Sequence, residues 1–242
     1  MFENYPKTRT ELSSDFQRIY NEHYKNNREG GTAGSSLSQK MESWMHRKVA
    51  KDVKKDPHKS TLEIGAGTLN QLKYEKPEPY DIIEPFSGLY ADSPYKTHIR
   101  HIYNDIADMD ASVKYDRITS VATFEHILDL PKVVAKSALL LNEHGVLRVA
   151  IPNEGTILWK LGWKLTTGLE FKIKYGLDYG ILMKHEHVNT AHEIEKILYC
   201  FFKKHRRSCF GIGKYFAFYR FYDCFEPNIE LAEKYLAQNP EI

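Results

Sequence analysis

Short apolar runs alternate along this chain with segments that have helical spacing. Five runs of mostly apolar, often β-branched residues fit buried strands, at residues 61–64, 80–85, 97–103, 115–122 and 145–152. Residues 130–141 have helical spacing. This alternation predicts an α/β fold with a parallel sheet. Two β-rich runs around glycines, at 208–213 and 215–222, predict an antiparallel pair at the end of the fold.

Helical spacing also precedes the first strand. Residues 11–24 and 38–53 each place apolar side chains on one side of a helix. The first helix and the glycine-containing loop after it carry Tyr20, Tyr24 and Arg28. Two interpretations are open: these side chains reach a ligand, or the helices only cover the sheet.

The pattern divides the chain into three parts: an N-terminal helical cap at 1–56, a core at 57–226 and a C-terminal tail at 227–242. Within the core, residues 153–184 are too long for a simple connection and predict an insert after the fifth strand. Trp159 and Trp163 stand four apart there, so residues 156–165 fit a short helix with an aromatic face. This helix could pack in the core, close over a substrate or touch lipid headgroups.

Composition narrows the functional classes. The chain has 242 residues, 42% of them hydrophobic, which suits one large α/β domain. Its 34 Lys and Arg against 32 Asp and Glu give a net charge of +2, so no overall attraction to nucleic acid is expected. Three cysteines without C-x-x-C spacing suit reduced thiols. No apolar stretch reaches the roughly 18 residues of a membrane span, and we expect a cytoplasmic protein.

The most informative local pattern is a glycine turn directly after the first predicted strand. Glu63 ends that strand, and Gly65 and Gly67 allow backbone conformations and close approaches that side chains would block. A dinucleotide fingerprint would need glycine at position 70, where this chain has Asn70, so NAD is disfavoured. Glu84 follows the next strand, 17 residues beyond Gly67, and such an acid can accept both hydroxyls of a ribose.

The acid-x-Gly-x-Gly sequence of Glu63 to Gly67 resembles motif I of the class I S-adenosylmethionine (SAM)-dependent methyltransferases. The resemblance covers about residues 58–224. It implies a Rossmann-like, seven-stranded mixed sheet with helices on both faces, and SAM as cofactor. In that family the glycine turn passes under the methionine part of SAM, the acid after strand two binds the ribose, and an acid-plus-apolar pair contacts the adenine. Carried over to this chain, the cofactor-binding residues are Glu63, Gly65, Ala66, Gly67, Glu84, Asp105, Ile106, Ala122 and Thr123.

The family's commonest pattern has a third glycine where this chain has Leu69, which affects the packing of the following helix.

Two histidine clusters are candidates for chemistry at the acceptor. His126 belongs to an E-H-x-x-D sequence after the fourth strand, which is similar to a stretch in small-molecule and glycan-modifying methyltransferases. His187 follows Glu186, an acid that could orient an imidazole as a base. Catalytic roles are therefore predicted for His126, His187 and Glu186, although His126 could instead only fix a helix start. Metal binding by His185, His187 and His192 is the other interpretation, but no cysteine or spaced carboxylate completes that set, and no metal is expected.

The whole pattern resembles bacterial methyltransferases associated with surface-polysaccharide and sugar-nucleotide modification. This resemblance implies O-methylation of a sugar or other glycan-type small molecule. The alternatives are a methyltransferase that acts on RNA or protein, and a module that binds SAM without turnover. We expect no nucleic-acid partner and no stable membrane insertion, while peripheral membrane contact and the oligomeric state stay open.

Overall fold

The computed structural model describes residues 2–20, 36–54, 56–110 and 112–240. Its seven strands are β1 Thr61–Ile64, β2 Tyr80–Ile83, β3 Ile102–Tyr103, β4 Tyr115–Val121, β5 Leu141–Pro152, β6 Phe202–Ile212 and β7 Phe216–Pro227. They form one sheet in the order β3-β2-β1-β4-β5-β7-β6. Strands β1 to β5 pair in parallel, and β7 runs antiparallel to both β5 and β6. The predicted Rossmann-like mixed sheet is confirmed.

Seven helices are described in full: α1 Ser36–Val49, α2 Leu130–Leu140, α3 Ile157–Leu165, α4 Thr167–Tyr175, α5 Tyr179–Glu186, α6 Ala191–Phe201 and α7 Ile229–Gln238. Helices α2, α6 and α7 pack on one face of the sheet. Helix α1 packs on the other face, where Met45 and Val49 meet Ala150 and Phe221. Among the described helices, none is long and apolar enough to cross a membrane.

The predicted third strand is much shorter than expected. Residues 97–103 alternate like a strand, yet Lys96–His98 forms a 3₁₀ turn and only the last two residues pair with β2. Backbone bonds to β2 begin only at residue 100, where the Arg100 N–H donates to the Tyr80 carbonyl at 2.8 Å and the His101 carbonyl accepts from the Ile82 N–H at 3.0 Å. The Asp81 carboxylate on β2 adds side-chain bonds at the same place, since it accepts from the Arg100 guanidinium at 2.9 and 2.6 Å and from the His101 N–H at 3.0 Å.

The segments near both ends of the described chain pack against the rest of the fold. A helical segment covers residues 14–20, so the predicted helix at 11–24 is borne out over that part, and positions 21–24 lie outside the described residues. Its Phe16 and Ile19 pack with Phe171 and Leu182 of the insert. The predicted C-terminal tail contains helix α7, whose Ala232 and Tyr235 join the main core.

A buried arginine on β4 fastens α1 to the sheet. Arg117 is fully buried, and its guanidinium donates to the two Glu75 carboxylate oxygens at 2.8 and 3.0 Å and to the Val49 carbonyl at 3.0 Å. Asp52 lies 3.3 Å from the Arg117 Nε. A buried charge of this kind is tolerated only with such partners, so loss of Glu75 would be costly.

Candidate active site

A cavity of about 750 Å³ opens at the carboxyl ends of β1, β2 and β4, where Ile64, Ile83 and Val121 line it. Strand order reverses here, because β1 has β2 on one side and β4 on the other. Open α/β sheets bind their ligands in the crevice at such a switch point. All nine residues predicted to bind the cofactor line this cavity: Glu63, Gly65, Ala66, Gly67, Glu84, Asp105, Ile106, Ala122 and Thr123.

The two glycines of the turn serve different purposes. Both have positive φ, 71° at Gly65 and 52° at Gly67. A Cβ on Gly65 would lie 2.3 Å from the Thr123 Cγ2, so this glycine lets the loop after β4 approach the turn. A Cβ on Gly67 would meet nothing within 4 Å. Gly67 therefore keeps open space at the cavity wall, where a ligand can approach the backbone.

The third position of the glycine pattern is occupied by a leucine, which adopts the left-handed backbone conformation that glycine favours. Leu69 is fully buried and adopts left-handed angles, with φ 64° and ψ 31°. Left-handed angles cost a non-glycine residue roughly 1–2 kcal/mol, and burial of the leucine side chain offsets that cost. A 3₁₀ turn at Asn70–Lys73 follows.

Glu84 is held in place by the glycine turn itself. One carboxylate oxygen accepts from the Gly67 N–H at 2.9 Å, and the other accepts from the Phe86 N–H at 3.0 Å. The side chain is buried, and each oxygen keeps a lone pair for a further donor. The carboxylate is thus oriented before any ligand arrives.

Glu63 is buried at the base of the same turn and accepts from the Tyr80 hydroxyl at 2.8 Å. Burial raises the pKa of its carboxyl to about 8, although the Tyr80 hydrogen bond acts in the opposite direction. At neutral pH this carboxyl is therefore mostly protonated. A cation bound beside it would favour the ionised form.

On the far side of the cavity, Asp105 caps a 3₁₀ turn by accepting from the Ala107 N–H at 2.8 Å. Ile106, the next residue, is buried and presents an apolar surface to the cavity. In the loop after β4, Ala122 has a positive φ of 49°, and the Thr123 hydroxyl donates to the Val121 carbonyl at 3.1 Å.

The predicted catalytic residues come together at one end of the cavity. His126 and Glu186 line it, and the His126 Nδ1 lies 3.0 Å from the Glu186 carbonyl oxygen. The His187 ring packs edge-on against His126, with 4.9 Å between ring centroids. Its Nδ1 lies 2.7 Å from a carboxylate oxygen of Glu154. His187 therefore supports His126 from behind the cavity wall.

The three histidines considered as metal ligands from the sequence, His185, His187 and His192, do not come together. The His185 Nδ1 lies 2.7 Å from the Thr10 carbonyl oxygen, and His192 is exposed, 3.9 Å from Glu195. Among the described residues, the potential ligand atoms that do converge belong to Glu125, His126 and His187.

Sequence reasoning missed two acids beside the histidines. Glu125 is buried below His126, and burial raises the pKa of its carboxyl to about 7. The hydrogen bonds of Glu154 with His187 and with the Trp159 indole hold the pKa of the Glu154 carboxyl below its usual value despite its partial burial. The E-H pair was visible in the sequence, but nothing local indicates that Glu154 would meet His187.

The N-terminal region also contributes residues that sequence reasoning missed. The Arg9 guanidinium lines the cavity and donates to the carbonyls of His126 at 3.2 Å and His185 at 2.7 Å. From α1, Glu42, Met45 and His46 line the same cavity. Tyr20 lines it as well, which favours the first of the two interpretations left open for the N-terminal helices, whereas Tyr24 and Arg28 lie outside the described residues.

The charge around the cavity is strongly one-sided. Among the described lining residues, the only lysine or arginine is Arg9, whereas five side chains carry carboxyl groups: Glu42, Glu63, Glu84, Asp105 and Glu186. Glu63 adds little negative charge, because burial raises its pKa to about 8, and the excess comes from the other four. Such a cavity favours a cationic or neutral ligand over a polyanion.

The order of the strands is that of the Rossmann-like fold of the class I methyltransferases, and the glycine turn and the cavity lie where this fold binds its ligands. Solved structures of methyltransferases share this fold. A SAM-dependent methyltransferase from Thermotoga maritima superposes with a TM-score of 0.54 at 15% identity, over 89% of this chain and 100% of that one. A plantazolicin methyltransferase in complex with SAH (S-adenosylhomocysteine) and a monoazolic desmethylPZN analogue gives a TM-score of 0.59 at 13% identity, over 88% of this chain and 93% of that one. The CurJ carbon methyltransferase gives 0.52 at 19% identity, over 75% and 54%.

No family model matches the sequence, and no curated protein does.

Proposed function

We propose that this protein transfers the methyl group of SAM to an acceptor bound in the same cavity. The observation that carries the proposal is the link between Glu84 and the Gly67 N–H, which sets a buried carboxylate at the tip of β2 beside an open backbone. An oriented carboxylate next to accessible backbone suits a ribose and the chain attached to it. Neighbours of the same fold that contain SAH support this assignment.

The residues present fit SAM in shape and charge. Gly67 leaves the space that a Cβ would fill, and Glu84 offers acceptors to ribose hydroxyls. Asp105 and Ile106 provide an acceptor and an apolar surface for the adenine. The excess of carboxyl groups suits the positive sulfonium. When bound, SAM supplies a methyl group on that sulfonium, ready for displacement by a nucleophile.

Titration of SAH into the purified protein tests the cofactor assignment. Glu84→Ala removes two ligand acceptors, and we expect SAH binding to weaken by about 1.5–3 kcal/mol, roughly 10- to 150-fold. Glu84→Gln retains one acceptor and should lose less. Glu143→Ala is the control, because Glu143 is exposed at the start of β5, at the end of the parallel strands opposite the cavity. Equal affinity in all four proteins would refute the assignment.

We further propose that the acceptor presents a hydroxyl group to the end of the cavity lined by His126 and Glu186. An imidazole there can accept the hydroxyl proton as the oxygen attacks the methyl group, and His187 and Glu186 orient that imidazole. Replacing the base should lower kcat by about 10²- to 10⁴-fold and leave SAH affinity nearly unchanged. Full turnover in both His126→Ala and His187→Ala would show that alignment alone suffices.

A sugar or other neutral glycan-type molecule is our proposed acceptor. The acidic cavity disfavours RNA, whose phosphates would meet five carboxyl groups and one guanidinium among the described lining residues. Protein and small-molecule acceptors are distinguished by incubating the enzyme with radiolabelled SAM and separate acceptor pools. Label in the glycan pool supports the proposal, label in RNA or protein contradicts it, and SAH binding without any SAH production identifies a non-catalytic module.

We also propose that the insert makes peripheral contact with a membrane. The sequence suggested Trp159 and Trp163 for this contact, but other residues of the same helix are exposed. Trp159 and Trp163 pack inward, against Tyr219 and Tyr179. The exposed face of α3 is aliphatic instead: Ile157, Leu161 and Leu165 are 80%, 50% and 70% exposed. Lys160 and Lys164 are exposed on the same helix. Flotation with anionic vesicles tests this contact, since binding should fall with added salt and in Leu161→Ser.

A further inference from the structure

We propose that Glu125, His126 and His187 form a binding site for one divalent transition-metal ion, with Zn²⁺ as the representative. One potential ligand atom from each residue lies within 4.8 Å of the other two. Metal–ligand bonds of 2.0–2.2 Å bring tetrahedral ligands to about 3.3 Å from one another, so a small contraction closes the site.

The histidines are already oriented as metal-binding histidines are. The Nδ1 atom of His126 is engaged with the Glu186 carbonyl oxygen at 3.0 Å, and that of His187 with the Glu154 carboxylate at 2.7 Å. Ligating histidines almost always use the second ring nitrogen in this way, which fixes the tautomer and leaves Nε2 for the metal. The contact with Glu154 is the carboxylate–histidine arrangement of many zinc sites.

Glu125 supplies an independent observation. Its side chain is 1% exposed, and its Oε2 has no hydrogen-bond partner among the described residues. Its Oε1 lies 3.8 Å from the His126 Nε2. A buried carboxylate oxygen without a partner is costly, and a cation between Glu125 and the two imidazoles would remove that cost.

The ligand set indicates the class of metal. Two imidazoles and one carboxylate form the ligand set of catalytic zinc sites and of non-haem iron sites, whereas Mg²⁺ and Ca²⁺ prefer oxygen ligands alone. Three protein ligands leave a position open for another oxygen.

That open position borders the cavity through His126, at the end where we place the acceptor. There the ion would bind the acceptor hydroxyl and lower its pKa, so that the proton leaves to solvent. In the metal-loaded protein this step replaces proton transfer to His126, because the ion occupies the Nε2 that would accept the proton. The oxygen then forms its bond to the methyl carbon as the carbon–sulfur bond breaks, and SAH leaves as a neutral thioether. This role rests on the proposed function, but the metal site itself does not.

Zn²⁺ binding to the full chain tests the site. The protein is treated with EDTA, desalted and titrated with Zn²⁺ in competition with a chromophoric chelator. We expect one Zn²⁺ per chain, and at least 100-fold weaker binding in Glu125→Gln and His187→Gln. His192→Gln is the matched control, since His192 is exposed outside the cluster, and it should bind as wild type does. Far-UV circular dichroism shows which variants are folded.

Co²⁺ provides a second measurement that needs no variant. Co²⁺ in a four- or five-coordinate site of two imidazoles and a carboxylate should give visible absorption bands that one equivalent of Zn²⁺ abolishes. Absence of stoichiometric Zn²⁺ binding, or wild-type Zn²⁺ affinity in folded Glu125→Gln, would overturn the proposal. SAH titration of the metal-free protein separates the two proposals: retained SAH binding without Zn²⁺ binding refutes the metal site alone.

Discussion

Glu63 should make the stability of this protein fall as pH rises through the neutral range. Burial raises the pKa of this carboxyl from 4.5 to about 8 in the folded protein. The folded state therefore binds a proton that the unfolded state releases above pH 4.5. Its contribution to stability is complete below that pH and is lost as pH rises towards 8.

The size of the effect follows from the two pKa values. Each pKa unit corresponds to about 1.4 kcal/mol, so the loss of unfolding free energy is about 1 kcal/mol at pH 5 and about 4 kcal/mol at pH 8. Glu63→Gln cannot ionise and still offers an acceptor to the Tyr80 hydroxyl. The free energy of unfolding of Glu63→Gln relative to wild type should therefore increase by about 3 kcal/mol between these pH values.

Urea unfolding followed by circular dichroism at pH 5, 6, 7 and 8 measures this difference directly. Titrations of all other groups occur in both proteins and cancel in the comparison. Glu143→Gln, which removes an exposed carboxylate, corrects for the change in net charge. If the difference between Glu63→Gln and wild type stays constant across the range, the carboxyl is not held protonated and the reasoning fails.

The remaining predictions concern the turn and the buried ion pair. Gly65→Ala should destabilise the fold by about 1–3 kcal/mol more than Gly67→Ala in urea unfolding, because its Cβ would overlap Thr123. Gly67→Ala should instead weaken SAH binding, since its Cβ enters the cavity, and equal effects of the two substitutions on both measurements would contradict this division. Glu75→Ala should cost about 3–5 kcal/mol because the buried Arg117 guanidinium loses its bidentate carboxylate and keeps only Asp52 beside its Nε, and a loss below 1 kcal/mol would show that Asp52 or water compensates the charge.

Features encoded by local sequence were predictable. Strands β1, β2 and β4 are short apolar runs buried on both faces, and the turn after β1 needs glycine at Gly65 and Gly67, so periodicity and composition placed them within a residue or two. Glu84 was located from the apolar run that it follows, although the connection from β1 to β2 contains a 3₁₀ turn at Asn70–Lys73 in place of the α-helix expected there.

Features that depend on distant contacts were not predictable. Residues 97–103 have the alternation of a strand, but the segment begins with a 3₁₀ turn and its backbone bonds to β2 only from residue 100 onward. Glu154 and Arg9 lie far along the chain from the histidines they contact, and the segment that carries Arg9 has no periodicity. Leu69 is a further example. Burial of its side chain maintains a left-handed backbone conformation at a position where the sequence pattern expects glycine.

The two ends of the cavity differ in the same way: one is built from local sequence features, and the other from contacts between distant segments. The end that we propose for the cofactor is built from the glycine turn and strand tips, where backbone geometry determines the site, and a short sequence pattern is enough to recognise it. The end that we propose for the acceptor combines Arg9, the loop after β4 with His126, and the end of α5 with Glu186, three segments joined only by tertiary contacts. Substitutions in any one of them can change the acceptor without disturbing the turn. Solved structures that share this fold at 11–19% identity include a carbon methyltransferase and an O-methyltransferase family protein, so the fold alone does not determine the acceptor, and experiments on it should begin at the histidine end of the cavity.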